Sequence, residues 1–233
     1  MVCFQSQPRT ICNDPDTSWK DAMQFRLTYE GTLLASRTID APARAKHKQS
    51  IRKVFHKQLK NLWQQTPFLG RVVEDGHWTP FPDSPLSMPV EKGFTMAEHL
   101  ASRFSCGPYR LVPLVIEDRS LICSLDILLL RPGKAGAILS SGDIDNRVKT
   151  LIDALRIPGP DAKELGGHTP DDGDNPFYCL LQDDKLISHL SVETDTLLEP
   201  IGPSLDDNDA RVVITVRVKP AEVMFANLSF AGD

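Results

Sequence analysis

"SSGDIDNRVKTLIDALRIP" spans residues 140–158 and sets a glycine-led turn against the start of an amphipathic run. Ile144, Val148, Leu151, Ile152 and Leu155 recur at helical spacing. They predict a helix with one apolar face, and Asp145, Lys149 and Asp153 on the opposite one. Asp143 and Asp145 stand one residue apart at its entry. Carboxylates this close repel each other unless positive charge lies between them: a helix N-terminus, a basic side chain or a metal ion. The plainest account makes one aspartate an N-cap and Lys149 an ordinary ion-pair partner.

Before this helix, "YRLVPLVIEDRSLICSLDILLLRPG" (109–133) reads as two strands joined by a turn near Asp118. The second has Leu121, Cys123, Leu125, Ile127 and Leu129 at period two. After it comes "PGPDAKELGGHTPDDGDNP", residues 158–176, an insertion expected as a surface loop or disordered segment. Three strand candidates follow: "FYCLLQDDKLI" (177–187), "LSVETDTLL" (190–198) and "ARVVITVRVKP" (210–220).

Towards the N-terminus, "MQFRLTYEGTLLAS" (23–36) predicts a strand, and Pro42 to Gln65 a helix entered at Asp40. The expected apolar stripe of that helix is Ile51, Val54/Phe55, Leu59 and Leu62. Thr95-Met-Ala-Glu98 has the form of a capping box opening a short helix that stops at Gly107. The order of elements predicts an α+β fold with a single mixed β-sheet and packed helices. We expect an irregular segment over 1–21, one domain over 22–222 and a C-terminal tail over 223–233.

The 233 residues, 41% hydrophobic, suffice for one core. Five cysteines, odd in number and without a Cys-x-x-Cys pair, suggest reduced thiols in the cytoplasm rather than disulfides or a zinc site. We read no signal peptide and no membrane span. Glycine-rich phosphate loops are absent, which argues against a nucleotide cofactor, and the six histidines have no HExxH or triad-like setting.

The net charge of −5 disfavours nucleic acid for the chain as a whole, but its distribution does not. Between residues 41 and 73 there are eight Lys/Arg and no acid, so all 31 acidic residues lie elsewhere. Lys46, Lys48, Arg52, Lys53, Lys57 and Lys60 on the predicted helix are therefore candidate phosphate contacts. Arg131, Lys134 and Arg147, near the aspartate pair, are further candidates. Asp171, Asp172 and Asp174 of the insertion lack the glutamate of a calcium loop and are expected to be solvated. Trp63 and Trp78 are expected to pack in the core.

A second acidic pair, Asp183-Asp184, ends an apolar run in which a strand would carry it to a sheet edge. Carboxylates from a strand end and a helix start together suit a hard cation, Mg²⁺ or Mn²⁺. If the strand continued through both, only one of the two could face the first pair. Strand parity leaves open which.

Asp143-x-Asp145-Asn146-x-x-Lys149, then Asp153-Ala-Leu155, then Asp183-Asp184-x-x-Ile187 resembles the RusA family of Holliday-junction resolvases. The resemblance covers about 143–156 and 181–187. It implies a RusA-like fold and Asp143, Asp145 and Asp184 as carboxylates holding Mg²⁺, with Asp183 the alternative third ligand. It also implies Lys149 in the catalytic site and a homodimer cutting branched DNA. The function expected is thus a metal-dependent, structure-selective DNA endonuclease that resolves Holliday junctions or related branched DNA. A non-catalytic DNA-binding protein of the same fold and a nucleotide-sugar transferase using the Asp-x-Asp pair are the alternatives.

Overall fold

The computed structural model describes residues 23–35, 40–70, 77–78, 88–89, 93, 95–132, 144–202 and 206–231. In chain order the elements are β1 (Met23–Thr32), α1 (Ala41–Gln65), β2 (His77–Trp78), β3 (Met88–Pro89), α2 (Met96–Arg103), β4 (Ser105–Cys106) and β5 (Tyr109–Val115). Then come β6 (Leu121–Arg131), α3 (Ile144–Leu155), β7 (Phe177–Leu181), β8 (Ile187–Thr196) and β9 (Asp209–Pro220). The chain is α+β, with mixed sheets and three helices. No helix among the described residues is long and apolar enough to cross a membrane.

The strands do not form one sheet. A four-stranded sheet has the order β1-β9-β6-β8, a three-stranded sheet the order β4-β5-β7, and β2 and β3 pair alone. The reason lies in the two strands expected to be neighbours. β5 buries Leu111, Val112, Leu114 and Val115 in succession, as a strand covered on both faces must, and pairs in parallel with β7. β6 alternates, with Leu121, Cys123, Leu125, Ile127 and Leu129 all but sealed from solvent, and pairs with β9 and β8. Between them, a turn over Glu117–Arg119 ends on Ser120 in the left-handed conformation and redirects the chain.

β6 and β8 are parallel, so the chain must cross back between them. α3 makes that return, starting beyond the C-terminal end of β6. Arg156 and Ile157, just past α3, join the edge of β7 beside Leu181. Val148, Leu151, Ala154 and Leu155 seat α3 in the main core.

α1 begins where Asp40 accepts a hydrogen bond from the Ala43 N–H at 2.8 Å. Its buried face differs from the expected stripe. Ile51, Phe55, Leu59 and Trp63 are inside, but Val54 is 38% exposed, and Gln49, Arg52 and His56 are fully enclosed. Arg52 and His56 meet backbone groups of other elements, and Gln49 meets the Arg52 side chain. Arg52 donates to Gln49 Oε1 (2.5 Å), to the Asp153 carbonyl (2.8 Å) and to the Arg156 carbonyl (3.2 Å). It thereby satisfies two carbonyls at the C-terminal end of α3.

The insertion is built onto α1. Gly166 lies at φ 59°, and a Cβ there would stand 2.4 Å from the Lys46 backbone nitrogen, so only glycine permits this approach. Asp171 pairs with Lys53 (2.9 Å), the Gly173 carbonyl accepts from Lys60 (2.6 Å), and Asp174 approaches His56 (3.4 Å). The expectation of solvated acids fails for Asp174, which is buried beside the His56 ring, while Asp171 stays open to solvent and pairs there with Lys53.

Two smaller expectations also change. α2 has the capping box at Thr95 and Glu98, but it ends at Arg103, and Ser105–Cys106 forms a strand before Gly107. The expected tail folds back: Phe230 is buried in the core edge-on to Phe68, and Asn227 donates to the Arg119 and Glu222 carbonyls.

His56 makes this packing pH-sensitive. Its Nδ1 accepts from the Tyr178 N–H at 2.8 Å, and its ring stacks on Phe177 at 4.1 Å. Burial pushes its pKa down to about 4, against the opposing pull of Asp174. The folded state thus resists protonation that the unfolded chain accepts near 6.5. Its contribution is present above that pH and lost as pH falls towards 4. We expect urea unfolding to show about 2 kcal/mol lost between pH 7.5 and 5 through this group. His56→Gln should flatten that dependence; equal slopes for both proteins would refute the assignment.

Candidate functional site

α3 presents two different flanks. Thr150 Oγ1 donates to the Leu34 carbonyl at 3.3 Å, and Asp153 pairs with Lys48 at 3.2 Å and Arg156 at 3.6 Å. Asn146 and Arg147 are buried, Arg147 donating to Asn208 Oδ1 at 3.1 Å. These residues face α1 and the loops around it. Asp145 and Lys149, on the adjoining strip of the helix, are both exposed. Asp145 accepts from Asn146 Nδ2 at 3.1 Å and stands in the first turn, where the helix N-terminus favours its anion. Neither Asp145 nor Lys149 is ion-paired with another described residue. Asp153, four residues after Lys149, is taken by Lys48 and Arg156, which leaves Asp145, four residues before it, as the acid at helical spacing from this lysine. Asp143 and Lys134 lie outside the described residues.

The second acidic pair is not in a strand. β7 stops at Leu181, and Asp183 caps the turn over Asp184–Leu186. Its carboxylate accepts from the Lys185 N–H at 3.0 Å, which holds its pKa below the usual range. Asp184 is exposed. Alternation along a strand accordingly does not govern which of the two faces where.

The two halves of the expected site stand at opposite ends of the fold. Asp184 leads through Leu186 into Ile187, which pairs with Cys123 near the start of β6. Asp145 stands by Arg147 and Asn208, at the end where Leu130 of β6 pairs with Arg211. β6 has 11 residues, roughly 33 Å of strand. One chain does not bring its own Asp184 to Asp145. Among the described residues, no three His, Cys, Asp or Glu gather closely enough to hold a metal ion.

The candidate phosphate contacts divide. Arg52, Arg131 and Arg147 are buried, and Arg131 donates to the Asp207 carbonyl at 2.8 Å. They brace backbone and loops, contrary to their expected place on an open surface. Lys48, Lys53 and Lys60 are engaged by Asp153, Asp171 and the Gly173 carbonyl. Lys46 and Lys57 remain exposed. The insertion covers much of the basic face, a pairing signalled in the sequence by one helix without acids and one loop rich in them. Beside Asp183, Arg103, Phe104, Arg156 and Gln182 line an open groove of about 420 Å³. Its arginines already pair with Asp118, Asp153 and Glu164. Comparison of the chain with protein-family models, curated proteins and solved structures finds no match.

Proposed function

We propose that this chain is a metal-dependent, structure-selective DNA endonuclease of the RusA type, acting on four-way junctions or related branched DNA as a homodimer. The observation that carries this reading is the pair Asp145 and Lys149, exposed on one flank of α3 beside its positive end and in no ion pair with another described residue. Helix-surface charges at this spacing are normally matched or paired elsewhere, as Asp153 is. An exposed carboxylate at a helix entry with an exposed ammonium one turn later suits a cation and a phosphate side by side.

Asp143 and Asp145 supply two of the carboxylates that the RusA resemblance implies. The chain's own Asp184 stands at the other end of the fold, so in this reading the third carboxylate is Asp184 of the partner subunit, with the partner's Asp183 the alternative. Mg²⁺ or Mn²⁺ suits such oxygen donors and, when bound, activates water and offsets phosphodiester charge. Lys149 binds a phosphate oxygen and keeps it beside the carboxylates.

The separation of Asp184 from Asp145 within one chain favours a second reading, a DNA-binding protein that does not cut. Labelled four-way junction, linear duplex and single-stranded DNA, each with Mg²⁺ or with EDTA, separate the two. We expect nicks in the junction that EDTA abolishes. Junction binding with no Mg²⁺-dependent nick would establish the second reading instead.

A further inference from the structure

We propose that a second copy of this chain docks on β8, edge to edge and antiparallel, in a register centred on Ser191. The inference rests on the homodimer reading above and names its surface. The four-stranded sheet has two edges, and the fold treats them differently. On β1, Gln58 of α1 imitates a neighbouring strand: its Oε1 accepts from the Thr28 N–H at 2.9 Å, and its Nε2 donates to the Thr28 carbonyl at 2.7 Å. That edge is capped at its middle by α1. β8 runs ten residues with no described strand on its outer side, and contains none of the Lys, Arg or Pro residues that commonly blunt an edge.

The face of β8 is open as well. Its pairing with β6 sets Leu190 beside Leu125 and Val192 beside Ile127, on the face that carries the core. Leu125 and Ile127 are sealed, yet Leu190 is 42% and Val192 37% exposed, so the helical layer stops at β6. Leu198, just past the strand, is 92% exposed.

The strand is complementary to itself in one register. A two-fold axis through Ser191 sets Leu190 against the partner's Val192 and His189 against the partner's Glu193, each pair occurring twice. Apolar meets apolar on the core face, and on the other an imidazole that lies 3.9 Å from Asp126 of its own chain meets a carboxylate to which its ring N–H can donate. An axis at Val192 sets Leu190 against the partner's Thr194. An axis at Glu193 opposes two like charges. The antiparallel arrangement also inverts the second chain, carrying the partner's Asp184 towards the sheet end where Asp145 stands.

Directly opposed antiparallel residues have Cα atoms about 4.5–5.5 Å apart, within disulfide reach. The test uses the full chain with Cys3 and Cys12 replaced by serine, leaving the buried Cys106, Cys123 and Cys179. Under mild oxidation Ser191→Cys should yield mostly disulfide-linked dimer, and Leu190→Cys alone should not. The double variant Leu190→Cys/Val192→Cys should cross-link again. In sedimentation equilibrium, Val192→Asp should raise the dimer Kd roughly a hundredfold, with circular dichroism unchanged. A monomeric native chain, or cross-linking by Leu190→Cys alone in place of Ser191→Cys, overturns the proposal. Neither readout needs DNA or metal. A cross-linked dimer without cleavage therefore upholds the interface and removes the nuclease, while a cleaving monomer does the reverse.

Discussion

Chains with Asp145→Asn and with Asp184→Asn should each fail to nick a four-way junction, yet recover nicking when the two are co-expressed and purified together. Each substitution removes one carboxylate ligand, which should cost orders of magnitude in rate. Neither should disturb the fold. Both side chains are exposed, and asparagine at Asp145 forfeits only an anion–helix interaction of about 0.3–1 kcal/mol. The recovery follows from the topology. If each site takes Asp145 from one chain and Asp184 from the partner, a mixed dimer has one site with both substitutions and one with neither. Half of the dimers formed at random are mixed, so about one quarter of the native sites return. The readout should be single nicks rather than paired cuts, because each active dimer has one working site. Two inactive chains that stay inactive together, in a verified mixed dimer, would sink the shared site.

Local order was largely legible, and long-range placement was not. The period-two run of β6, the helical spacing of α3 and the capping box of α2 each rest on contacts a few residues apart, and each reappears in the fold. The division into two sheets depends on which faces of β5 and β6 become covered. The unbroken apolar run of β5 against the alternation of β6 signalled that division in hindsight. Polar burial was the hardest to read. Arg52 and His56 sit in a basic run that looks like a solvated face, and nothing local reveals that the insertion and the end of α3 close over it. For the candidate site, the charge pattern around Asp145 and Lys149 was legible because it is carried by one helix. The separation of Asp184 was not, since it depends on the crossover from β6 to β8.

The same contrast yields a large effect on stability. Arg52→Ala should destabilise the fold by roughly 3–5 kcal/mol in urea unfolding, the scale for a large buried side chain whose loss leaves both a cavity and unsatisfied buried acceptors. The guanidinium is 1% exposed, and its acceptors are the Gln49 side chain and two carbonyls at the end of α3. Truncation leaves a cavity and strips those oxygens of their donor where water has little access. Arg52→Met should recover part of the loss, since it refills the space but supplies no donor. Lys57→Gln, an exposed change on the same helix, should shift stability by less than about 0.5 kcal/mol. If it affects anything, it should be the salt dependence of junction binding, by about one log–log unit for a lost phosphate contact. A cost below about 1 kcal/mol for Arg52→Ala, with weakened junction binding, would return this arginine to the DNA surface. Unfolding with no separate binding effect would show that a basic run on one helix is divided between holding α3 and meeting solvent.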